Sequence, residues 1–421
     1  MPVLSGGRRP ATLTLAALLV LASCAPATPT TAPTPTVGPS SSSAVGPPPA
    51  EVYAQIRVQV ETIRGLKPTA AVEPVVIDEA TLRKNLEAEF DAENTAAELA
   101  TAQDILITLG LLKPGSSLRT ITLEFQAAQV AGYYSPDKDQ LFVVKRSGAL
   151  GPAERVTYAH EFTHQLQDQH FDLNALSTDA ADQDDRSLAR LALIEGDAVS
   201  VQTTWTQDHL TPKEIGELLA SSLDPKALQA LQNAPAFLRD TALFPYVDGV
   251  AFVMRLIATG GYAAVDAAFA SPPASAEQVL HPDKYLQREA PLQVALPAGL
   301  AGTVGPDWSE AGRDTLGELI LRTWLREGGV PFAEARVATA GWGGDRLVLL
   351  RGPAGAVTVA LRTEWDTVAD ADEFAAAATK ALVTLAPGAS FQHPLGSAVV
   401  SIAIGDGAPA LARVLAEGAG G

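Results

Sequence analysis

Cysteine and basic residues are scarce in this sequence of 421 residues. Cys24 is the only cysteine, so an intramolecular disulfide is excluded and a folded domain must rely on packing or on a bound metal. The 30 Lys and Arg residues are outnumbered by 48 Asp and Glu residues, and they form no basic cluster. The formal charge of −18 therefore argues against nucleic acid as a partner.

Long apolar runs are also missing beyond residue 24. No uninterrupted run reaches the roughly 18 residues that a membrane-spanning helix needs. Aromatic residues make up only 6% of the sequence, so the hydrophobic fraction of 47% comes mainly from small apolar side chains. This length and hydrophobicity suffice for at least one large core, and two folded units are expected.

The first 50 residues predict export and attachment to a membrane. Two arginines precede a short apolar stretch, residues 12–22, and a Leu-Ala-Ser-Cys tetrad ends at Cys24. The tetrad resembles the bacterial lipobox, which implies a signal peptide over residues 1–23 and a lipid on Cys24 that anchors the exported protein to the outer face of the cell membrane. An ordinary cleaved signal peptide with a chance cysteine is the alternative. Residues 24–50, rich in Pro, Thr and Ser, predict a flexible tether.

The rest of the chain predicts an α+β protein in two parts. Residues 51–297 carry apolar positions at three- and four-residue spacings, which indicate helices. Between residues 123 and 146, a Ser-Pro-Asp turn separates two short apolar or aromatic runs, which is a hairpin signal. We therefore expect a mostly helical domain with a small sheet, followed by a small α+β domain over residues 298–421.

The segment HEFTH, from His160 to His164, carries the clearest chemical signal. A helix is predicted to begin at Pro152 and to contain this segment. Residues four positions apart lie on one face of a helix, so His160 and His164 can share one cation. Zinc suits two neutral imidazoles, and Glu161 is predicted to be the general base that accepts a proton from zinc-activated water. The alternative is two surface histidines on a solvated helix.

A third metal ligand must come from elsewhere in the sequence. Glu195 is the first choice because it lies on the next strongly patterned helix, and Gly196 beside it is explained by close approach of another backbone. A local salt bridge or cap is the alternative role for Glu195. His170 is the competing ligand, but Gln167 stands where the HExxHxxGxxH pattern of the metzincins has its glycine. On a continuing helix His170 would also point away from His164.

With His160, His164 and Glu195, the sequence resembles the gluzincin class of zinc peptidases. The resemblance implies a zincin-like fold, zinc bound by these three residues and Glu161 as the base. Over roughly residues 120–375 the sequence also resembles uncharacterised bacterial exported proteins. One departure is Val199, where the best-studied gluzincins have an acidic residue that contacts a zinc-binding histidine. Asp197 is an alternative candidate for orienting a histidine.

Peptide hydrolysis also needs a hydrogen-bond donor for the developing oxyanion. Tyr246 and His281 are the candidates, although each has an ordinary alternative as a packed aromatic or a turn residue. Gly132 and Tyr133 of the predicted hairpin are candidates to lie along the substrate cleft, where zinc peptidases of this build add the substrate to a strand edge. Ordinary sheet packing is the alternative for both.

The sequence thus predicts zinc-dependent hydrolysis of peptide bonds by an exported, membrane-anchored protein. Its expected partners are a peptide or protein substrate and the membrane. A non-enzymatic envelope lipoprotein with a structural zinc site, acting as a binding module, is the alternative from a different class. Hydrolysis of another amide, such as a cell-wall peptide, is a third possibility.

Overall fold

The computed structural model describes residues 49–144, 150–177, 183–222 and 224–418. It confirms the predicted α+β class, with a helical N-terminal part and a C-terminal α+β part. The predicted signal peptide, Cys24 and all but the end of the predicted tether lie outside the described residues. The first described helix begins at Pro49, directly after them.

The N-terminal part consists mainly of helices. They are α1 (Pro49–Arg64), α2 (Glu79–Glu93), α3 (Ala96–Thr108), α4 (Leu118–Gln129), α5 (Pro152–Phe171), α6 (Leu173–Ser177), α7 (Asp184–His209), α8 (Pro212–Ser221), α9 (Pro225–Asn233), α10 (Ala236–Ala270), α11 (Ala276–Leu280) and α12 (Pro282–Leu286). Three short strands form its sheet: β1 (Val75–Ile77), β2 (Gly132–Ser135) and β3 (Gln140–Val144).

The predicted hairpin is present as β2 and β3. The strands pair antiparallel across a Pro-Asp-Lys turn, β1 pairs parallel with β3, and β2 therefore lies at one edge of the sheet. Upstream, most of the apolar run that begins at Leu123 belongs to α4 and not to a strand. Ser117 caps this helix by accepting a hydrogen bond from the Thr120 amide, which supplies a start signal that the apolar run alone lacks.

Helix α7 packs against α5, which carries the HEFTH segment, and against α10. Helix α5 begins at Pro152, as predicted. Helix α10 begins at Ala236 and contains Pro245 in its interior. A proline removes only one backbone N–H, and burial of the residues around it against α7 keeps the helix continuous here. A break at Gly260 and Gly261 separates the last part of α10.

The C-terminal part is a five-stranded antiparallel sheet with helices on both faces. Its strands are β4 (Ser309–Asp314), β5 (Trp342–Arg351), β6 (Val357–Trp365), β7 (Ser390–Gln392) and β8 (Val399–Gly405), in the order β4-β5-β6-β8-β7. The helices are α13 (Leu300–Val304), α14 (Gly317–Glu327), α15 (Phe332–Thr339), α16 (Val368–Leu385) and α17 (Ala408–Glu417).

One large apolar cluster contains residues from both sides of the predicted boundary at residue 297. Leu106 of α3 and Phe125 of α4 belong to it together with Trp324 of α14 and Leu347 of β5. A second cluster surrounds α5 and includes the buried side chain of Phe162. The HEFTH helix is thus held inside the N-terminal part, and the C-terminal sheet packs against that part through shared apolar side chains.

Among the described residues, α10 is the one helix whose length and apolar composition would allow it to cross a membrane. About half of its most apolar stretch, 44%, is buried within the protein. The helix makes its most extensive contacts with α7, so it forms part of the core around the candidate site.

Candidate metal centre

The structure brings His160, His164 and Glu195 together. The two histidine Nε2 atoms are 3.1 Å apart, and Glu195 Oε2 lies 3.3 Å from His160 Nε2 and 3.5 Å from His164 Nε2. The histidines lie one turn apart on α5, and Glu195 projects from the middle of α7, which packs against α5. Three potential ligand atoms therefore converge on one point from two helices.

The three residues are almost completely shielded from solvent, with relative exposures of 0–1%. Burial opposes ionisation of Glu195, but the neighbouring His164 and His160 lower the pKa of its carboxyl to about 2. Burial likewise opposes protonation of His164, but the carboxylates of Glu195 and Glu161 raise its pKa to about 9. Burial lowers the pKa of His160. The centre is thus a buried carboxylate that stays ionised only with positive charge beside it.

These distances fit a zinc ion. Zinc binds His nitrogen and carboxylate oxygen at about 2.0–2.2 Å in a tetrahedral arrangement, which separates neighbouring ligand atoms by about 3.3–3.5 Å. Two of the three separations in the structure, 3.3 and 3.5 Å, match that spacing, and the third, 3.1 Å, is slightly shorter. Neither carboxylate oxygen of Glu195 has a hydrogen-bond partner among the described residues. Two imidazoles and one carboxylate are also a ligand set that zinc accepts while a fourth position is kept for water.

Glu161 lies between the histidines in sequence and is completely buried. Edge strand β2 passes close to it at Gly132. A methyl group at Gly132 would lie 3.5 Å from Glu161 Cγ and only 2.6 Å from Thr157 Cγ2. The glycine therefore lets the strand backbone approach the helix that carries Glu161.

Tyr133, the neighbouring hairpin candidate, faces the other side of the sheet. Its ring stacks on Phe142, and its hydroxyl accepts a hydrogen bond from the Asn85 amide at 2.8 Å. Successive strand residues point to opposite faces, so Gly132 and Tyr133 cannot share one side of β2. Only Gly132 is placed beside Glu161.

His170, the competing third ligand, lies at the far end of α5. Its Nε2 is 2.8 Å from the carbonyl oxygen of Lys67, and its side chain is exposed. The helix continues unbroken through Gln167, so the sharp turn that would redirect His170 towards the other two histidines is absent.

The two candidates for the oxyanion donor lie in different surroundings. Tyr246 is buried on α10 in the same apolar cluster as Val199, which is one turn beyond Glu195. His281 instead contacts Glu318 of α14, with 2.9 Å between Nε2 and Oε2, and this carboxylate raises the pKa of His281. No hydrogen bond or ion pair within the described ranges joins His281 to the three converging residues.

Gln167 supports the centre in a way that the sequence did not reveal. Its Oε1 accepts a hydrogen bond from His164 Nδ1 at 2.8 Å. Its Nε2 donates to the carbonyl oxygen of Ile194 at 3.0 Å and to Asp197 Oδ2 at 2.9 Å. Asp197 therefore reaches a histidine, as considered from the sequence, but through Gln167. The sequence signal that could have indicated this contact is the three-residue spacing of His164 and Gln167, which places both on one face of the helix.

A second acidic group, outside this centre, surrounds a lysine. Lys284 Nζ lies 2.7 Å from Glu277, 2.7 Å from Glu289 and 2.5 Å from Asp366. The ammonium group takes the place that a metal ion would need, so this group supports no metal assignment.

Comparison with known proteins gives one match. Residues 304–414 match a family model described as a domain of unknown function (DUF8575). The matched region runs from the end of α13 into α17 and includes all five strands of the C-terminal sheet. No curated protein and no solved structure matches the chain. The metal centre lies outside the matched region, so the match concerns the C-terminal part.

Proposed function

We propose that this protein is a zinc-dependent peptidase with His160, His164 and Glu195 as ligands. The observation that carries the proposal is the convergence of three ligand atoms at tetrahedral spacing, with the carboxylate of Glu161 on the turn between the two histidines. A structural zinc site has no need of a neighbouring base. We also infer, from the tetrad ending at Cys24, export and lipid attachment, which membrane fractionation of a Cys24→Ser variant would check.

Glu161, strand β2 and Tyr246 each have a separate role in the proposed hydrolysis. A bound zinc ion would polarise the peptide carbonyl and acidify a water molecule. Glu161 accepts the proton from that water and delivers it to the departing amine. Edge strand β2, at Gly132, remains the predicted place where an extended substrate would pair. Tyr246 remains the predicted donor to the oxyanion.

A second candidate function is a binding protein with a structural metal site. The complete burial of the three ligands and of Glu161 favours it, because a catalytic metal must be reached by substrate. Both proposed functions require a bound metal, but only the peptidase would cleave peptides.

Metal analysis and a peptide library separate the two functions. The purified chain is expected to hold close to one zinc ion and to cleave peptides. Glu161→Gln should keep the zinc and lose cleavage by about 10²–10⁴-fold, the usual contribution of a general base. Glu217→Gln, at an exposed position of α8, is the matched control and should behave as wild type. Zinc without cleavage by the wild-type chain would favour the binding protein, and absence of zinc would refute both.

A further inference from the structure

Arg64 is a buried cation at the end of α1. Only 1% of its surface is exposed, although it is one of the longest and most polar side chains. Its Nε donates to Asp197 Oδ2 at 2.9 Å, and its Nη2 donates to Asp266 Oδ1 at 2.6 Å. The guanidinium also lies over the ring of Tyr262, 4.8 Å from the ring centroid. Side chains of two other helices, α7 and α10, thus hold Arg64 in one place.

The oxygen that Arg64 contacts is also the acceptor for Gln167. Asp197 Oδ2 accepts from both Arg64 Nε and Gln167 Nε2, each at 2.9 Å. Gln167 in turn contacts His164. The side chains of Arg64, Asp197, Gln167 and His164 therefore form a continuous series of hydrogen bonds from α1 through α7 to α5.

This series fixes which nitrogen of His164 faces the metal centre. The two N–H groups of Gln167 are directed at the carbonyl oxygen of Ile194 and the carboxylate of Asp197, which can only accept. The amide oxygen of Gln167 must then face His164 Nδ1, so that Nδ1 is the donor. The lone pair of His164 Nε2 is left for the centre.

We propose that Arg64 is a positioning residue of the metal centre, which acts by holding the carboxylate of Asp197 where it orients Gln167 and, through Gln167, His164. This inference rests on the proposed function only in taking His164 as a zinc ligand. Without Arg64, the carboxylate of Asp197 would lose its cation in a fully buried position, and the amide of Gln167 would lose a fixed acceptor.

The proposal gives α1 a role beyond covering the core. The segment after α1 is attached along α5: Gln169 Oε1 accepts from the Thr69 amide at 2.8 Å, and Gln169 Nε2 donates to the Ala70 carbonyl at 2.9 Å. The first helix after the predicted tether is therefore bound alongside the HEFTH helix and completes the support of its second histidine.

Zinc affinity and the spectrum of a cobalt(II)-substituted protein test this role. Arg64→Gln is expected to weaken zinc binding, measured by competition with a chromophoric chelator, by about 10-fold. This is the lower end of the roughly 10–100-fold loss usual for a group bonded directly to a metal ligand, because Arg64 acts through Asp197 and Gln167. It should also change the cobalt absorption bands, and Arg64→Lys should restore part of the affinity. Arg119→Gln removes an exposed arginine paired with Asp91 and should leave both measurements unchanged.

The outcomes separate this proposal from the proposed function. If the wild-type chain binds no zinc, the metal assignment itself fails. If it binds zinc and folded Arg64→Gln binds equally well with the same cobalt spectrum, the role of Arg64 is refuted while the peptidase proposal stands. If Arg64→Gln does not fold, the double variant R64M/D197L removes both buried charges together, a change that proteins often tolerate. It should show the same loss, and wild-type affinity in the folded double variant overturns the proposal.

Discussion

Gln167 occupies the position at which the three-histidine pattern has a glycine and a sharp turn. In the pattern with three histidines, the chain turns at a glycine so that the third histidine reaches the metal. Here Gln167 continues the helix and bonds to His164, while His170 contacts the carbonyl of Lys67. The third ligand atom comes instead from Glu195 on another helix. Glutamine at position 167 therefore goes with a ligand set in which Glu195, and not His170, supplies the third ligand atom.

Two substitutions distinguish Glu195 from His170 as the third zinc ligand. Glu195→Gln is expected to weaken zinc binding by more than the roughly 100-fold that loss of an outer group can cause, because it removes the only anionic ligand. His170→Asn should bind zinc as wild type does. Chelator competition measures both variants. Equal affinity of Glu195→Gln and wild type would contradict the assignment, as would a large loss in His170→Asn.

At the scale of elements, helices α7 and α10 cross with their backbones in contact. A methyl group at Gly196 would lie 2.3 Å from the carbonyl oxygen of Gly249, and one at Gly249 would lie 2.3 Å from the carbonyl oxygen of Ala192. The approach expected from the sequence at Gly196 is therefore real, and its partner is a second glycine. This crossing fixes the depth of the α7 turn that carries Glu195.

We predict that Gly196→Ala lowers the free energy of unfolding by about 1–3 kcal/mol, as is typical of overpacking against a rigid neighbour. Denaturant unfolding followed by circular dichroism measures the change. Gly216→Ala is the matched control, since no atom lies within 4 Å of the added methyl group in α8. It should raise stability by up to about 1 kcal/mol through helix propensity. Equal stability of Gly196→Ala and wild type would show that the helices can separate freely.

At the scale of the whole molecule, buried carboxylates join the start of α7 to the C-terminal part. Asp185 accepts hydrogen bonds from the Ala276 amide and lies against Gly317, whose φ of +73° and lack of a side chain make room for it. Asp345 accepts from the Gly317 amide at 2.8 Å, and Asp314 accepts from the backbone of α7 at 3.1 Å. The helix that carries Glu195 is thus connected at its first turn to the sheet of the matched domain.

These carboxylates predict a pH dependence of stability. Burial raises the pKa of Asp314 to about 7 and that of Asp345 to about 6, although backbone amides oppose the shift. Both values lie above the ordinary value of about 3.9. Between about pH 4 and 7, Asp314 and Asp345 therefore hold protons in the folded state that they have released in the unfolded state. The free energy of unfolding should fall as the pH rises through this window.

Asp314→Asn removes one of these titrations and keeps an oxygen for the two backbone donors. The variant is expected to lose less stability than wild type between pH 5 and 8, by on the order of 1–3 kcal/mol, since one pKa unit corresponds to about 1.4 kcal/mol. Denaturant unfolding at several pH values measures it. Asp208→Asn, at an exposed position of α7, should follow the wild-type curve. Parallel curves for Asp314→Asn and wild type would contradict this account.

The sequence by itself determined the features that depend on local spacing. The four-residue interval between His160 and His164, the proline at the start of α5 and the turn at Pro136 each act within one element, where backbone geometry leaves little choice. The class of the fold follows from the same periodicities. The α+β class is confirmed, whereas the zinc and the peptidase activity remain predictions.

Only the tertiary structure decided which distant side chains meet. Arg64 and Asp197 are 133 positions apart in the sequence, and no local pattern indicates that they meet, because their contact depends on how α1 packs against α7. The contact of His281 with Glu318 depends in the same way on the packing of α14. Such contacts arise from burial of apolar faces over the whole molecule. The sequence pattern within one helix does not indicate which other helices pack against it.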